Sequence, residues 1–332
     1  MSGRRVLITG AGGYLGTQLL SALQERGDAI ERIIAVDVRE IPPDRRLPGV
    51  DYHVMDVRSP DLAELFQAQA PQVVVHLASI VTPGKDSTRD FEYSVDVLGT
   101  ENVLKACLAA GVGKIVVTSS GAAYGYYPDN PTWISEDWPV RGNEAFAYAH
   151  HKRLVEEMLA RWRKEHTRLQ QVVLRVGTIL GATVQNQITA LFEKPRLLAI
   201  RGSDSPFVFV WDRDVAGAIA HAVTSDKTGV FNVAGDGALT VEEIARRLGK
   251  RRTVLPAWLL QGALAVLKPL GMTRYGPEQV DFLRYRPVLN NRRLKEEFGY
   301  IPRKTSSEAF EIWRTRVTPA ETGSSSTGLA SS

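Results

Sequence analysis

The sequence predicts an α/β fold in which a doubly wound parallel β-sheet carries helices on both faces, with a smaller lobe toward the C-terminus. Short apolar runs alternate with longer segments of helical periodicity from Arg4 to Val176, which is typical of such a sheet. A glycine-rich turn follows the first run, and the alternation weakens after Gly177. With 332 residues, the chain can bury a sizeable core.

The first strand is predicted at Arg5 to Thr9, and a helix with leucines four residues apart follows it. Residues 9–16 between them read Thr-Gly-Ala-Gly-Gly-Tyr-Leu-Gly. Glycines permit a tight turn and a close approach of the backbone to a ligand, while the N-terminus of a helix attracts phosphate. The turn can therefore hold a dinucleotide, although its spacing, Gly-x-x-Gly-x-x-Gly, departs from the Gly-x-Gly-x-x-Gly fingerprint.

The second predicted strand, Ile33 to Val36, is followed by Asp37. An acid about 20 residues beyond the last glycine of such a turn bonds the ribose 2′-hydroxyl of NAD. Arg39 could instead meet the 2′-phosphate of NADP. The acid favours NAD over NADP.

Further strands complete the predicted sheet, at residues 73–77, 114–118, 172–176 and 230–234. The longest helices are predicted between Arg89 and Ala110 and between Glu144 and His166. Both carry apolar stripes on more than one face, as expected of a homodimer interface or of a large monomeric core.

Three regions follow from this pattern. We expect a dinucleotide-binding domain over residues 1–176, to which a late strand around 205–235 returns, and a mainly substrate-binding lobe over 177–316. Residues 317–332 are almost entirely Ser, Gly, Thr and Ala, which predicts a disordered tail.

Composition excludes several classes of function. The formal charge of +4 comes from scattered arginines, so no nucleic-acid partner is expected. Cys107 is the only cysteine and the six histidines lack ligand spacing, so we predict no disulfide framework and no metal. The longest apolar stretch, Leu255 to Leu270, is too short for stable insertion across a membrane. We expect it to cover a substrate pocket or to form an interfacial helix, in a cytoplasmic protein.

Tyr148 and Lys152 are four residues apart on a predicted helix, so they share one face. A nearby ammonium favours the phenolate and makes the tyrosine a usable acid or base. An isolated Tyr-x-x-x-Lys is most often part of a solvated surface helix. Its combination with the glycine turn favours a catalytic pair.

In their order along the chain, five motifs resemble those of the extended short-chain dehydrogenase/reductases, the NAD-dependent epimerase/dehydratase group, from Arg4 to about Arg314. The motifs are residues 9–16, Asp56-Val57, His76-Leu77-Ala78, Ser119 to Gly125, and the pair Tyr148 and Lys152. The resemblance implies a Rossmann fold and NAD as cofactor. The cofactor-binding residues it implies are Gly10, Gly13, Tyr14, Leu15, Gly16, Asp37, Asp56, Val57, Leu77, Ala78, Tyr148 and Lys152.

The same resemblance implies a catalytic mechanism. Ser120 would hydrogen-bond the reacting oxygen of the substrate, and Tyr148 would take or give its proton. Lys152 would support the phenolate and hold the nicotinamide ribose, while hydride passes between the substrate carbon and the nicotinamide. The end of a parallel strand, where Ser120 is predicted, is where doubly wound sheets bind ligands.

Three departures from the family pattern narrow the chemistry. Gly121 and Ala122 stand where dehydratases carry Asp and Glu, which disfavours dehydration. Phe207 stands where nucleotide-sugar enzymes carry an arginine for the diphosphate, which replaces a cation with apolar area. Asp96 stands in place of a usual asparagine and adds a charge near the site, although we favour a surface-side hydrogen bond for it.

Three functions remain open. The first is a dehydrogenase/reductase of a secondary alcohol or ketone, and the aromatic residues near Phe207 favour a lipophilic one. The second is a nucleotide-sugar epimerase with tightly bound NAD, in which Arg284 or Arg286 replaces the lost charge. The third, a non-enzymatic NAD(P) sensor, is disfavoured by the intact Ser, Tyr and Lys. Candidate substrate contacts are Asn186, Phe207 and Trp211. We expect a small-molecule substrate and a homodimer.

Overall fold

The computed structural model describes residues 3–84, 86–273 and 276–317, and its central layer is a seven-stranded parallel sheet. The strands of the described chain are β1 (Arg4–Thr9), β2 (Ile30–Asp37), β3 (Val50–Val54), β4 (Val73–His76), β5 (Lys114–Ser120), β6 (Gln170–Val176), β7 (Thr178–Leu180), β8 (Arg196–Ile200), β9 (Phe209–Trp211), β10 (Gly229–Val233) and β11 (Arg251–Leu255). The order across the central sheet is β10-β6-β5-β4-β1-β2-β3. All seven strands are parallel, and the chain adds strands outward in opposite directions from β1 and from β4. Doubly wound sheets bind ligands at such a switch point.

Helices cover both faces of the sheet, which confirms the predicted fold class. They are α1 (Tyr14–Gln24), α2 (Leu62–Gln69), α3 (Arg89–Tyr93), α4 (Gly99–Ala109), α5 (Ala147–Glu165), α6 (Gln187–Phe192), α7 (Asp212–Thr224), α8 (Val241–Arg247), α9 (Ala257–Leu267), α10 (Gln279–Arg284) and α11 (Ser306–Val317). Apolar side chains of α1 and α7 form the core on one face. Those of α2, α4 and α5 form the core on the other face.

The chain after Gly177 divides between the sheet and the lobe. Helix α7 packs against α1, and β10 pairs in parallel with β6, so the predicted late strand lies at the edge of the central sheet. The rest includes two small parallel sheets, β7 with β9 and β8 with β11. An apolar cluster that includes Phe192, Phe207, Phe209, Phe310 and Trp313 holds this part together.

Two features differ from the sequence-based prediction. Strand β3 was not predicted, because it is a short strand at the edge of the sheet whose five residues are half-buried or exposed and form no continuous apolar run. The long helix predicted from Arg89 is interrupted by a π-helical turn at Ser94–Leu98, which joins α3 to α4. Beyond Val317, the predicted disordered tail lies outside the described residues. Within the described ranges, no helix has the length and apolar character needed to cross a bilayer.

Candidate active site

Tyr148 lies in the first turn of α5, and Lys152 follows it one turn later. The Lys152 Nζ lies 5.6 Å from the centre of the Tyr148 ring. This ammonium also donates a hydrogen bond to the Thr118 carbonyl oxygen, at 3.0 Å. Because Thr118 belongs to β5, the bond ties the paired face of α5 to the sheet.

Ser120 is the last residue of β5, and its Oγ accepts a hydrogen bond from the Ala122 N–H at 3.2 Å. The bond caps a short 3₁₀ turn, Gly121–Tyr124, against which α5 packs. The structure therefore places Ser120 on the same C-terminal edge of the sheet as the Tyr148 and Lys152 helix. A hydroxyl, a phenol and an ammonium together can orient a reacting oxygen and exchange its proton.

The glycine turn lies beside them, between β1 and α1. Gly10 has a φ of +73°, and a Cβ there would lie 2.6 Å from the Ala78 nitrogen. A Cβ on Gly16 would clash with the carbonyl oxygens of Gly10 and Ala11. The first N–H groups of α1, including those of Tyr14 and Leu15, have no acceptor within the helix. This arrangement fits a diphosphate group at the start of α1.

Asp37 ends β2 with its carboxylate turned toward the glycine turn. Its Oδ2 accepts a hydrogen bond from the Gly12 N–H at 2.9 Å, and its Oδ1 accepts one from the Arg39 N–H at 3.0 Å. A carboxylate has further lone pairs for ribose hydroxyls. The Arg39 residue is exposed. The fixed negative charge suits a ribose hydroxyl better than a 2′-phosphate.

The other predicted cofactor residues flank the same edge. The Asp56 carboxylate binds the Arg58 guanidinium at 2.6 Å, and these hydrogen bonds lower the pKa of Asp56 despite its partial burial. Val57 is buried after it. The Leu77 N–H donates to the Thr9 carbonyl at 3.0 Å, which holds the end of β4, with Ala78 following it, beside β1.

The Tyr14 side chain has a contact that sequence reasoning missed. Its hydroxyl donates to the Asp212 carboxylate at the start of α7 and lies 3.0 Å from Thr183 Oγ1. Burial, with help from the Asp212 bond, raises the pKa of Tyr14 to about 12. The phenol therefore links the glycine turn to the chain that follows Gly177.

The prediction that Asp96 makes a surface-side hydrogen bond is wrong, because its side chain is buried. Oδ1 accepts hydrogen bonds from Ser79 Oγ at 2.9 Å and from the Ile80 N–H at 2.8 Å, and Oδ2 lies 3.1 Å from His151 Nδ1. Burial acts to raise the pKa of Asp96. The His151 bond, the Lys152 charge and the remaining donors outweigh it, so the pKa lies below its usual value.

A buried polar network joins β5, α5 and β6 next to Ser120, and sequence reasoning missed it too. Arg175 Nη2 lies 2.6 Å from Glu156 Oε2, and Ser119 Oγ also donates to Glu156. Arg175 Nη1 donates to the Tyr124 hydroxyl at 2.8 Å, which in turn donates to Asn232 Oδ1 at 2.8 Å. The available signal was an arginine inside the apolar run of β6, since a buried cation requires a partner.

The three candidate substrate residues lie in the chain after Gly177. Asn186 caps α6: its Oδ1 accepts from the N–H groups of Ile188 and Thr189, each at 2.9 Å, and its Nδ2 donates to the Ile179 carbonyl. The amide oxygen and the amide nitrogen of Asn186 are therefore both hydrogen-bonded to nearby backbone groups. Phe207 is buried in its aromatic cluster, and Trp211 is half-buried at the start of α7.

Arg286 lies against Phe207, with its guanidinium carbon 3.8 Å from the ring centre. Its Nη2 donates to the Ser205 carbonyl, while its Nε is buried without a hydrogen-bond partner in the described structure. Burial lowers the pKa of Arg286, and the charge of Tyr126 opposes this shift. Within the described residues, this guanidinium has no carboxylate partner.

Three aromatic rings meet near Tyr148. The Tyr126 ring packs edge-on against Phe146 at 5.2 Å and against Phe282 of α10 at 5.1 Å between centroids. Burial, followed by the charge of Tyr148, raises the pKa of Tyr126. Tyr126, Phe146 and Phe282 together form an aromatic wall contributed by both parts of the chain.

The sequence is similar to a known protein family and to several known proteins. The sequence model of the NAD dependent epimerase/dehydratase family matches residues 6–234. An uncharacterized protein of Mycobacterium tuberculosis is 26% identical over 309 residues, which cover 92% of this chain and 82% of the relative. Short-chain dehydrogenase/reductase family 42E member 1 of Xenopus laevis is 31% identical over 239 residues, covering 67% of this chain and 60% of that protein.

A solved structure extends the likeness to the whole fold. The UDP-glucose 4-epimerase of Thermus thermophilus, in complex with NAD, superposes with a TM-score of 0.71 at 25% identity. The match covers 95% of this chain and 99% of that one.

Proposed function

Because this chain belongs to the NAD-dependent epimerase/dehydratase family and takes NAD as its cofactor, we propose that it is an oxidoreductase acting on a secondary alcohol or ketone. The observation that carries the proposal is the placement of Lys152 beside the Tyr148 ring. Both residues lie at the C-terminal edge of the sheet, where β5 ends at Ser120. That edge adjoins the glycine turn, so proton transfer and the cofactor share one side of the sheet.

The roles of the residues follow from their positions. Bound NAD supplies the hydride exchange. Ser120 donates to the substrate oxygen, and Tyr148 takes a proton from that oxygen or returns one. Lys152 holds positive charge beside the phenol and is positioned by the Thr118 carbonyl. Asp37 and the N-terminus of α1 hold the ribose and diphosphate of the cofactor.

An apolar secondary alcohol or ketone fits the aromatic wall of the site, and we propose a net oxidation or reduction of it. Tyr126, Phe146 and Phe282 present rings near Tyr148 and offer area for an apolar ring or chain. Dehydration is not part of the proposal. A Cβ on Gly121 would lie 3.2 Å from the Leu289 side chain, so an acidic group there would require Leu289 to shift.

A second candidate, nucleotide-sugar epimerisation, is favoured by Arg286. Arg286 is half-buried, its Nε has no hydrogen-bond partner within the described structure and its charge has no carboxylate partner there, which is costly. A diphosphate would supply the missing charge. The UDP-glucose 4-epimerase of Thermus thermophilus supports this alternative by likeness of the whole fold. In this alternative reaction, a ring hydroxyl would be oxidised to a ketone, the sugar would flip within the site, and the ketone would be reduced from its other face.

Native mass spectrometry of the protein purified without added cofactor tests the proposal. Empty protein that binds NADH reversibly would support a net dehydrogenase or reductase, and the substrate search would turn to ketones and secondary alcohols. NAD that copurifies and does not exchange would support the epimerase, since that reaction regenerates the cofactor in each turnover. A protein that binds neither form would contradict both candidates.

A further inference from the structure

Helix α9 has the composition of a buried helix but lies on the surface. From Val254 to Met272, the only charged residue is Lys268. None of the eleven residues of α9 is buried. The exposed side chains along this segment are large and apolar, with exposed fractions of 71% for Trp258, 60% for Val266, 65% for Leu270 and 72% for Met272.

The periodicity of α9 defines its outer face. Trp258, Gly262 and Val266 recur every four residues and are exposed, as are Leu259, Ala263 and Ala265, while Leu260 and Leu264 are half-buried. The surface helix of a globular protein ordinarily carries charged residues on the side away from the core. Here that side has none, and a contiguous apolar surface of this kind marks an interaction site.

The charges around α9 are all of one sign along the chain. Between Glu243 and Glu278 there are seven Lys or Arg residues and no Asp or Glu. The Arg201 N–H donates to the Leu255 carbonyl at 2.9 Å, which places Arg201 where β11 leads into α9. Arg251, at the other end of β11, pairs in register with Arg196.

These arginines are available to an external anion. Arg196, Arg201 and Arg251 are exposed and make no ion pair within the described part of the chain. Three other cations of this region form ion pairs that stay partly exposed: Arg247 contacts Glu311, Arg252 contacts Glu242 and Lys268 contacts Glu278, each at 3.2 Å. Pairs of this kind are weak in water.

We propose that α9 and the segment to Met272 dock on an anionic lipid surface. Tryptophan, leucine, valine and methionine would enter the boundary between headgroups and acyl chains, and the arginines would contact the lipid phosphates. An apolar face flanked by exposed arginines complements both the acyl boundary and the phosphates of such a surface. The helix lies on the membrane without crossing it, and the inference does not depend on which reaction the enzyme catalyses.

Cosedimentation of the full chain with lipid vesicles tests this docking. We expect binding to vesicles of phosphatidylglycerol and phosphatidylcholine, weaker binding to phosphatidylcholine alone, and a decrease with added salt. The double variant Trp258→Ser, Val266→Ser should weaken binding by about tenfold or more, because it removes the inserting side chains. Ile301→Ser is the matched control, since Ile301 is 72% exposed outside this segment.

A second pair of variants tests the contribution of the arginine charges to vesicle binding. Arg201→Glu should weaken binding by about tenfold, because it replaces an attraction to the lipid surface with a repulsion. Arg292→Glu, at an exposed position near Glu296, should change binding little. All substituted side chains are exposed, and thermal unfolding checks that each variant is folded.

Three results would overturn the proposal. The first is an absence of binding to the anionic vesicles. The second is an equal loss in the Ile301→Ser control. The third is vesicle-free self-association, measured by light scattering, that disappears in Trp258→Ser, Val266→Ser while vesicle binding is absent, because the occupant of the face would then be a second copy of the chain.

Discussion

Tyr148 is the residue at which chemistry can be separated from cofactor binding. Replacing it with phenylalanine removes the acid/base but keeps the ring beside Lys152. We expect turnover to fall by about 10²–10⁴-fold, which is the usual contribution of a positioned acid or base. NADH binding, measured by fluorescence titration, should stay nearly unchanged.

The control for this change is Tyr52→Phe, on the edge strand β3, where the tyrosine hydroxyl accepts a hydrogen bond from the Leu47 N–H. Turnover in this control should remain close to that of the wild type. If Tyr148→Phe kept full turnover, the assignment of the acid/base would be wrong.

The Glu156 and Arg175 pair predicts a large effect on stability. Glu156→Gln leaves the buried Arg175 guanidinium without its countercharge. Breaking a buried pair on one side costs about 3–5 kcal/mol, so the free energy of unfolding in urea should fall by that amount. Glu157→Gln, on the next residue of α5, loses only a partly exposed contact to Arg153 and should cost less than about 1 kcal/mol.

These residues also show how far sequence reasoning extends at this scale. Tyr148 and Lys152 could be paired because their contact lies within one helix. Asp96 and His151 are 55 residues apart, and their contact exists only once a π-helical turn packs against α5. No local pattern encodes that distance, so the burial of Asp96 could not be predicted.

At the scale of elements, the glycine turn and α1 act as a unit, and Gly16→Ala tests their packing. The added Cβ would clash with the carbonyl oxygens of Gly10 and Ala11, which cannot move without shifting the turn. We expect a lower free energy of unfolding and at least about tenfold weaker NADH binding. Urea titration measures the free energy of unfolding, and fluorescence titration with NADH measures cofactor binding.

Gly262→Ala supplies the matched control, since it makes the same change within α9. A Cβ at Gly262 meets no atom within 4 Å. Alanine is the better helix former by about 1 kcal/mol, so this variant should be as stable as the wild type or more stable. Equal loss in the two variants would show that packing at the glycine turn is not the cause.

The elements that could be predicted from sequence are those with one strong local signal. Strands β1, β4, β5 and β6 are buried apolar runs, and they appear close to their predicted bounds. Strand β3 and the small sheets of the chain after Gly177 lack such runs. Their pairing depends on neighbours distant in sequence, as in β8 with β11, and β-propensity alone is a weak guide there.

For the whole molecule, we propose a homodimer formed through the helical stretch 89–109 and α5. Phe91, Leu98 and Leu108 are exposed apolar residues on that stretch. Leu98→Lys should favour the monomer, because it places a charge in the proposed interface. Light scattering after size exclusion measures the mass. A wild-type monomer would contradict the proposal, whereas Ile301→Ser should leave the mass unchanged.

His76 of β4 contacts both β1 and α4, and we expect it to contribute to the loss of folding stability at acid pH. Its Nδ1 lies 2.7 Å from Thr9 Oγ1 of β1, and its Nε2 lies 3.0 Å from Thr100 Oγ1 of α4. Burial, with help from the Lys152 charge, lowers the pKa of His76 to about 3. An unfolded histidine titrates near pH ~6.5, so between these values only the unfolded chain binds this proton.

The unfolded state therefore gains stability from the His76 proton as the pH falls below about 6.5, and the contribution approaches about 1.4 kcal/mol for each further pH unit. The loss continues until the pH reaches the folded pKa near 3. Urea unfolding of the wild type and of His76→Gln at pH 5, 6 and 7 measures it, and the variant should show the shallower dependence. Thr100→Val removes one hydrogen bond but keeps the imidazole, so it should lower stability without flattening the slope. Equal slopes in the wild type and His76→Gln would show that another group carries the acid sensitivity.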